Sequence, residues 1–218
     1  GTVTLLKGDS GGLTYGIHQT TINSGNLYLM IKDYVENPNA RFGDDFKPYL
    51  SSLAAKSGGL GTNANFKALL KKAGLEDEVM RETQDKFFDR VYWDKANYIA
   101  DQMGIKTALG TAVLYDSIIH GSFNLIRDRT IKNSGTVAQL GEFAWIKAYN
   151  EQRFNWLANH SNSLLRKCVY RQKAFRTVIS GADWSLKLPF TFQANGGTFK
   201  FTEEALGIRH TDVDPTPT

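Results

Sequence analysis

The segment Thr107-Ala108-Leu109-Gly110-Thr111-Ala112-Val113-Leu114-Tyr115-Asp116-Ser117-Ile118-Ile119 carries apolar side chains around nearly its whole circumference when it is drawn as a helix. A helix that is apolar all round is a buried, central helix, because a surface helix keeps one polar face. Asp116 is the exception within it. An ionised carboxylate at such a position costs on the order of several kcal/mol unless it is paired and hydrogen-bonded. The segment therefore predicts a buried partner for Asp116, and arginine suits best because it donates two parallel hydrogen bonds. The pattern alone favours a structural ion pair; the alternative is a pair that also tunes a nearby catalytic group.

Around this segment the chain reads as mainly helical, with short strands at both ends. Extended stretches are predicted at 2–6 and 13–19, on either side of a glycine-rich turn, and a closing hairpin is predicted over 190–201. Apolar residues at spacings of three and four predict further helices. Their approximate ranges are 24–37, 46–53, 66–74, 76–92, 136–157 and 164–179. The predicted fold class is α+β, mainly α-helical.

Length and composition set broad limits. The 218 residues, of which 41% are hydrophobic, fit a single domain, which could have two lobes. We predict that this domain spans residues 1–210 and that residues 211–218 form a disordered tail. No apolar run is long enough to span a membrane. The lone cysteine, Cys168, is interpreted as a small core residue.

The net charge of +4 suits an anionic partner such as a bacterial cell wall, although an ordinary soluble protein explains it equally well. The basic residues are dispersed, and no arginine-rich run or stacking-aromatic motif marks a nucleic-acid binder.

The string Gly8-Asp9-Ser10-Gly11-Gly12 equals the nucleophile motif of trypsin-like proteases, but the context argues against that activity. Those enzymes are all-β and carry the motif late in the chain. A Ser10 nucleophile would also need a histidine base held by a third group, and the four histidines are scattered. No histidine or cysteine pair has metal-ligand spacing, and no dinucleotide or phosphate-loop motif is present, so neither a metal nor a cofactor is predicted.

Three blocks run in a fixed order along positions 3 to 192. The first is Gly8-Asp9-Ser10-Gly11-Gly12-Leu13-Thr14-Tyr15-Gly16. The second combines Gln84-Asp85, Asp89-Arg90-Val91-Tyr92-Trp93-Asp94 and Tyr115-Asp116-Ser117-Ile118-Ile119-His120-Gly121. The third combines Val169-Tyr170-Arg171, Gly181-Ala182-Asp183-Trp184-Ser185-Leu186 and Leu188-Pro189. In this order the blocks resemble family 46 chitosanases and their peptidoglycan-cutting relatives, within the lysozyme superfamily.

The resemblance implies a lysozyme-like, two-lobed fold with a small sheet lobe and a buried central helix. It implies that Asp9 is the general base of an inverting glycosidase and that Thr14 helps to hold the attacking water. It also implies an interior ion pair between Asp116 and Arg171, with Arg166 as the other candidate arginine. Aromatic residues of the first two blocks are possible substrate-cleft residues, although core packing explains them equally well: Tyr15, His18, Tyr92 and Trp93.

The general acid of the family is a glutamate on a helix before the aspartate loop, and we expect an upstream segment to supply it. We predict endo-hydrolysis of β-1,4 bonds in an amino-sugar polymer. Peptidoglycan is the preferred substrate prediction, because a basic chain suits the anionic cell wall. In addition, Gly11 and Leu13 stand in place of an arginine-tyrosine pair of the family. Chitosan is the alternative, and a catalytically incomplete glycan- or partner-binding module is the non-enzyme alternative. The expected location is extracellular or at the bacterial periplasm or cell wall, for a secreted or phage-encoded protein.

Overall fold

The computed structural model of the chain describes residues 2–6 and 10–206. They form mainly helices with two small antiparallel sheets, which confirms the predicted fold class. The chain divides into two compact units, Gly1–Asp94 and Lys95–Thr218. The predicted tail at 211–218 lies outside the described residues.

The first unit opens with a three-stranded sheet in the order β1-β2-β3: β1 (Val3–Leu5), β2 (Leu13–Tyr15) and β3 (Thr20–Thr21). Strand β2 lies in the middle of the sheet. The predicted second extended stretch is shorter than expected, because the chain turns at Gly16, which has a φ of 80°. A Cβ on Gly16 would lie 1.9 Å from Oε1 of Gln84, so the close approach of this turn to the following helices requires glycine.

The described part of the first unit also contains five α-helices: α1 (Asn26–Glu36), α2 (Gly43–Phe46), α3 (Leu50–Ala54), α4 (Ala64–Glu76) and α5 (Glu78–Phe88). Two short 3-10 helices, Lys47–Tyr49 and Gly58–Thr62, lie on either side of α3. Helix α1 buries Leu27, Met30, Ile31 and Tyr34, which recur at the spacings of three and four that predicted a helix here. The helix begins after Gly25, which has a φ of 85°, about two residues later than the predicted start at 24.

Asp77 links three parts of this unit. Its side chain is only 6% exposed and caps α5 by accepting the Val79 amide at 3.0 Å. Its other oxygen accepts the Arg41 amide at 3.0 Å and the hydroxyl of Tyr34 in α1. Burial, followed by the hydrogen bond to Asp77, raises the pKa of Tyr34, so the phenol stays protonated and donates.

The helix predicted over 76–92 is confirmed from Glu78 onward, but it is regular α-helix only as far as Phe88. After α5, residues Asp89–Trp93 form a π-helical turn, and α6 (Asp94–Met103) follows directly. The division between the two compact units falls at this junction. Single π-helical turns occur frequently at functional sites, and this one coincides with the Asp89–Asp94 part of the second block.

The second unit is built on the predicted central helix, α7 (Ala108–Ile119), in which Ala108 alone is exposed. Five helices follow: α8 (Phe123–Ser134), α9 (Val137–Leu140), α10 (Glu142–Ala158), α11 (Ser163–Lys167) and α12 (Val169–Ser180). The core around α7 contains Leu109, Val113, Leu114, Ile126, Trp145, Ile146 and Tyr149.

Three sequence predictions in this unit need correction. Helix α8 was not predicted, because its polar run Arg127-Asp128-Arg129 masks the buried positions Phe123, Ile126 and Thr130. The helix predicted over 136–157 is broken by Gly141, which has a φ of 78°. The helix predicted over 164–179 breaks at Cys168, which is half-buried and not a core residue.

The closing hairpin is confirmed as β4 (Phe190–Ala194) and β5 (Gly197–Phe201). Its turn residues, Asn195 and Gly196, both have positive φ, which matches the twist of two-residue hairpins. Phe192 packs edge-on against Phe175 of α12 and so joins the hairpin to the core of the second unit.

The start of α7 is fixed by Glu142. Its carboxylate accepts the amides of Lys106 and Thr107, at 3.0 and 2.9 Å, and the Thr107 hydroxyl at 2.5 Å. The Thr107 hydroxyl oxygen in turn accepts the Gly110 amide at 3.0 Å and caps the helix.

We predict that Gly110→Ala lowers the free energy of unfolding by about 1–3 kcal/mol, as overpacking does. The added Cβ would lie 2.7 Å from Oε1 of Glu142 and 2.7 Å from Cγ2 of Ile105, and the carboxylate is held by three donors. Urea titration measures the effect. Gly58→Ala is the matched control, since nothing lies within 4 Å of its Cβ. Equal stabilities for the two variants would contradict the packing described for α7.

Candidate active site

The predicted general base, Asp9, lies outside the described residues. The residues that follow it are tied to the end of β3. The amide of Asn23 donates to the Gly11 carbonyl at 3.1 Å, and its side-chain Nδ2 donates to the Ser10 carbonyl at 2.7 Å. Asn23 therefore fixes the direction in which the chain enters β2.

Thr14 lies in the middle of β2, opposite Thr4 of β1 and Thr21 of β3. Its neighbours Leu13 and Tyr15 are each 1% exposed and belong to the core, whereas Thr14 is half-buried. Because side chains alternate along a strand, the hydroxyl of Thr14 lies on the sheet face that does not pack on the core. The proposal that Tyr15 lines a substrate cleft is wrong; it is a core residue, as the packing alternative has it.

Two of the other predicted cleft residues of the first unit, His18 and Tyr92, take part in one ring stack. His18 stacks on Phe88, with ring centroids 4.2 Å apart, and Phe88 contacts Tyr92 at 4.7 Å. The His18 ring is also hydrogen-bonded through Nε2 to Asp85 at 2.7 Å. The Tyr92 hydroxyl accepts Nδ2 of Asn26 at 2.5 Å.

Trp93, the residue after Tyr92, is 42% exposed. Two of the three remaining cleft candidates, His18 and Tyr92, thus share one set of contacts. Their role in binding substrate stays a prediction.

Asp116 is 4% exposed in α7, and Arg171 of α12 is its partner. Both Nε, at 2.6 Å, and Nη2 of Arg171 donate to Oδ1 of Asp116. The second oxygen accepts Nε2 of Gln172 at 3.4 Å. Arg166, the other candidate arginine, instead donates to the carbonyls of His160 and Ser161.

Two further residues surround this pair, and the sequence analysis did not identify either of them. His120 lies one helical turn after Asp116, with Nε2 3.8 Å from Oδ1, and this four-residue spacing could have revealed it. Arg153 lies on the buried stripe of α10 formed by Trp145, Tyr149 and Leu157. An arginine at that four-residue spacing among large apolar residues is the signal that was missed.

Arg153 is 2% exposed and holds the turn after α7. Its Nη1 donates to the Gly121 carbonyl at 2.8 Å and to the Ser122 hydroxyl at 2.6 Å. Gly121 and Ser122 both have positive φ, which strains Ser122 by roughly 1–2 kcal/mol. A cavity of about 290 Å³ opens at this turn, lined by Lys95, Ser117, Ile118, Gly121, Ser122, Phe123, Asn124 and Leu125.

The charges around Asp116 shift the pKa values of its neighbours. Burial, and then the guanidinium groups of Arg171 and Arg153, lower the pKa of His120 below its usual 6.5, against the attraction of Asp116. Burial lowers the pKa of Arg171, but the charge and hydrogen bonds of Asp116 outweigh it and raise the pKa. At neutral pH the His120 imidazole is therefore neutral, and it lies beside the Asp116–Arg171 ion pair.

Within the described part of the chain, no three or more His, Cys, Asp or Glu side chains are grouped so that they could hold a metal ion. No helix among the same residues is both long and apolar enough to cross a membrane.

We expect Arg171→Ala to lower the free energy of unfolding by about 3–5 kcal/mol, because Asp116 would remain buried without its charged partner. Arg176→Ala is the matched control in the same helix. Its partner Glu151 is 40% exposed, so its loss is expected to cost at most about 1 kcal/mol. Chemical denaturation measures both, and equal losses would contradict a special role for the buried pair.

We expect His120→Gln to flatten the pH dependence of stability below pH 6.5. Because the folded protein holds the pKa of His120 below 6.5, the unfolded chain binds a proton first as the pH falls. In the wild type, neutral His120 therefore makes its full contribution to the free energy of unfolding above pH 6.5. This contribution is lost as the pH falls from 6.5 toward the folded-state pKa of His120. Urea titrations at several pH values compare the two proteins, and identical slopes would rule out this linkage.

The sequence model of Glycosyl hydrolase family 46 matches residues 4–190 of this chain. A chitosanase of Bacillus subtilis (strain 168) is 28% identical over 201 residues, which cover 86% of this chain and 72% of that protein. The native chitosanase of Bacillus subtilis MY002 superposes with a TM-score of 0.78 and 28% identity, over 92% of this chain and 89% of that one.

A glutamate-to-alanine mutant of the MY002 enzyme, complexed with 6 GlcN, superposes with a TM-score of 0.77 and 27% identity, over 91% and 88% of the two chains. These matches confirm the resemblance and the lysozyme-like α+β fold expected from it. Since the family match covers most of its length, the chain belongs to glycosyl hydrolase family 46 and is a glycoside hydrolase.

Proposed function

We propose that this chain cuts β-1,4 bonds inside chitosan by an inverting mechanism in which Asp9 is the general base. The observation that carries the proposal is the family match over residues 4–190, which includes Asp9, Thr14, Asp116 and Arg171. It is supported by the similarity to chitosanases, one of them complexed with 6 GlcN.

Peptidoglycan was the first substrate predicted from the sequence, whereas the relatives support the alternative, chitosan. The charge argument also weakens once the two units are considered separately. Residues 95–218 hold 15 Lys and Arg against 10 Asp and Glu, whereas residues 1–94 hold 11 against 12. The unit that carries Asp9 is therefore slightly acidic, and the basic excess that disfavoured a polycationic substrate belongs to the other unit.

In the proposed reaction, Asp9 removes a proton from a water molecule that the hydroxyl of Thr14 helps to hold. The water oxygen bonds to the anomeric carbon from the face opposite the leaving group, and the glycosidic C–O bond breaks. A second carboxyl group, a glutamate by the family resemblance, gives its proton to the departing oxygen. Thr14 suits its task because its side chain lies on the sheet face away from the core.

We assign a positioning role to the Asp116–Arg171 pair. Two nitrogens of Arg171 donate to Oδ1 of Asp116, and the ion pair joins α7 to α12 in the middle of the second unit. Arg153 and His120 complete the charge arrangement at the end of α7. A rigid α7 would keep the turn at Gly121 and its cavity in one shape. Because chitosan is a polymer, we also propose that the enzyme acts outside the cell.

The test compares wild type and Asp9→Asn on chitosan and on peptidoglycan, with release of reducing ends and product sizing as readouts. We expect internal cuts in chitosan by the wild type, and a loss of about 10²–10⁴-fold in the variant, since amides cannot accept the proton. Asp45→Asn, an exposed carboxylate of the same unit, is the control and should retain full activity.

Wild-type rates in Asp9→Asn would overturn the assigned base. Release of reducing ends from peptidoglycan alone would restore the first substrate prediction. Binding of chitosan without any turnover would favour the glycan-binding module.

A further inference from the structure

A pocket with a volume of about 420 Å³ lies between α8 and the C-terminal half of α10 in the second unit, and we call it the Trp156 pocket. Gln152, Asn155, Trp156 and Asn159 all line it, because residues three, four and seven positions apart share one face of a helix. The half-buried Trp156 ring packs edge-on against His160, with centroids 4.8 Å apart. An aromatic ring with polar neighbours is suited to the apolar face of a sugar.

The polar groups of the Trp156 pocket are largely available to a ligand. The side-chain amides of Gln152 and Asn155 have no hydrogen-bond partner among the described residues. Asn159 donates with Nδ2 to the Asn155 carbonyl at 2.8 Å, which leaves its carbonyl oxygen as an acceptor. Three amides thus offer donors and acceptors side by side.

One wall of the pocket is fixed in advance. Nη1 of Arg166 donates to the carbonyls of His160 and Ser161, at 2.7 and 2.8 Å. The amide of Asn162 donates to Nδ1 of His160 at 3.0 Å, so a neutral His160 ring carries its proton on Nε2 and can donate there. A wall held in this way loses little conformational freedom when a ligand binds.

The charge of the pocket selects among amino sugars. Arg129 of α8 lines it, is exposed, and has no ion-pair partner among the described residues. None of the described lining residues carries a carboxylate, and the adjacent Asp128 is already paired with Arg127 at 2.8 Å. A permanent guanidinium repels a protonated glucosamine but donates well to an acetamido carbonyl.

We propose that the Trp156 pocket is an accessory site for N-acetylated, β-1,4-linked amino-sugar chains. The sugar ring stacks on Trp156, the acetamido group bonds to the amides and to Arg129, and fully deacetylated stretches are excluded by charge. The site holds acetylated stretches of a polymer that is cut elsewhere on the enzyme. This inference concerns binding and does not depend on the substrate proposed above.

The test follows the indole N–H cross-peaks of the four tryptophans by ¹H–¹⁵N NMR, with the Trp156 peak identified in Trp156→Phe. The ligands are thio-linked chitotetraose analogues, which are not cleaved, in fully acetylated and fully deacetylated form at mildly acidic pH. We expect a saturable shift of the Trp156 peak with the acetylated ligand alone. No shift at millimolar ligand, or equal shifts with both ligands, would overturn the proposal.

Surface variants separate binding from folding, since Trp156 also packs on the core of its unit. Asn155→Ala should weaken binding by roughly tenfold through the lost hydrogen bond, whereas Asn133→Ala, exposed on α8, should not. Arg129→Glu should allow the deacetylated ligand to bind, and Lys132→Glu is its charge-matched control. Unchanged selectivity in Arg129→Glu would contradict the role of the guanidinium.

A third ligand identifies the source of the acetylated chain. A disaccharide that contains N-acetylmuramic acid adds a carboxylate to the same acetamido chemistry. Tighter binding of this disaccharide than of the neutral chain, lost in Arg129→Glu, would assign the pocket to cell-wall glycan. Equal or weaker binding would assign it to chitin-type chains.

Discussion

The buried ion pair between Asp116 and Arg171 is the constraint on which the second unit depends. A carboxylate that is 4% exposed is tolerated in the apolar helix α7 only because α12 brings a guanidinium against it. The pair thereby fixes which face of α12 packs on the core. It also sets the charges felt by His120 and Arg153, and Arg153 holds the turn at the end of α7.

The first unit depends on the hydrogen bonds of a single buried carboxylate, that of Asp77. Asp77 accepts hydrogen bonds from the start of α5, from the Arg41 amide and from Tyr34 of α1, so one carboxylate organises three segments. The small sheet presents Thr14 on its open face, and the π-helical turn Asp89–Trp93 follows α5. The Thr14 hydroxyl and the π-helical turn therefore both belong to family motifs of this unit, while Leu13 and Tyr15 of the first motif form part of its core.

Much of the fold could be predicted from sequence, because long apolar patterns determine buried helices. The all-apolar segment of α7 identified both the central helix and the need for an arginine partner at Asp116. Helix α8 was not predicted, because a run of charged residues separates its buried positions. The breaks at Gly141 and Cys168 were not predicted either, because helical periodicity continues across both. The positive φ of Gly141 marks the first break, and at Cys168 the amide donates to the Leu165 carbonyl, three residues back, in place of the α-helical bond.

The candidate site was less predictable than the fold. Local patterns do not show that His120 lies beside Asp116 while Arg153 of α10 binds the turn after α7, because these contacts join residues of different elements. Tyr15 looked like a cleft residue because it belongs to the aspartate block, yet strand alternation buries it beside Leu13. Residue types and motif order identified the reaction class, while burial decided which side chains are available to a ligand.

The central claim is that this glycoside hydrolase inverts the anomeric carbon by general-base attack of water. The most direct measurement is ¹H NMR of the first products formed from a β-1,4-linked chitosan oligosaccharide, recorded before the anomers equilibrate. The account predicts that new reducing ends appear first as the α-anomer, because water attacks opposite the leaving group. Initial appearance of the β-anomer would mean retention through a covalent intermediate and would contradict the role assigned to Asp9.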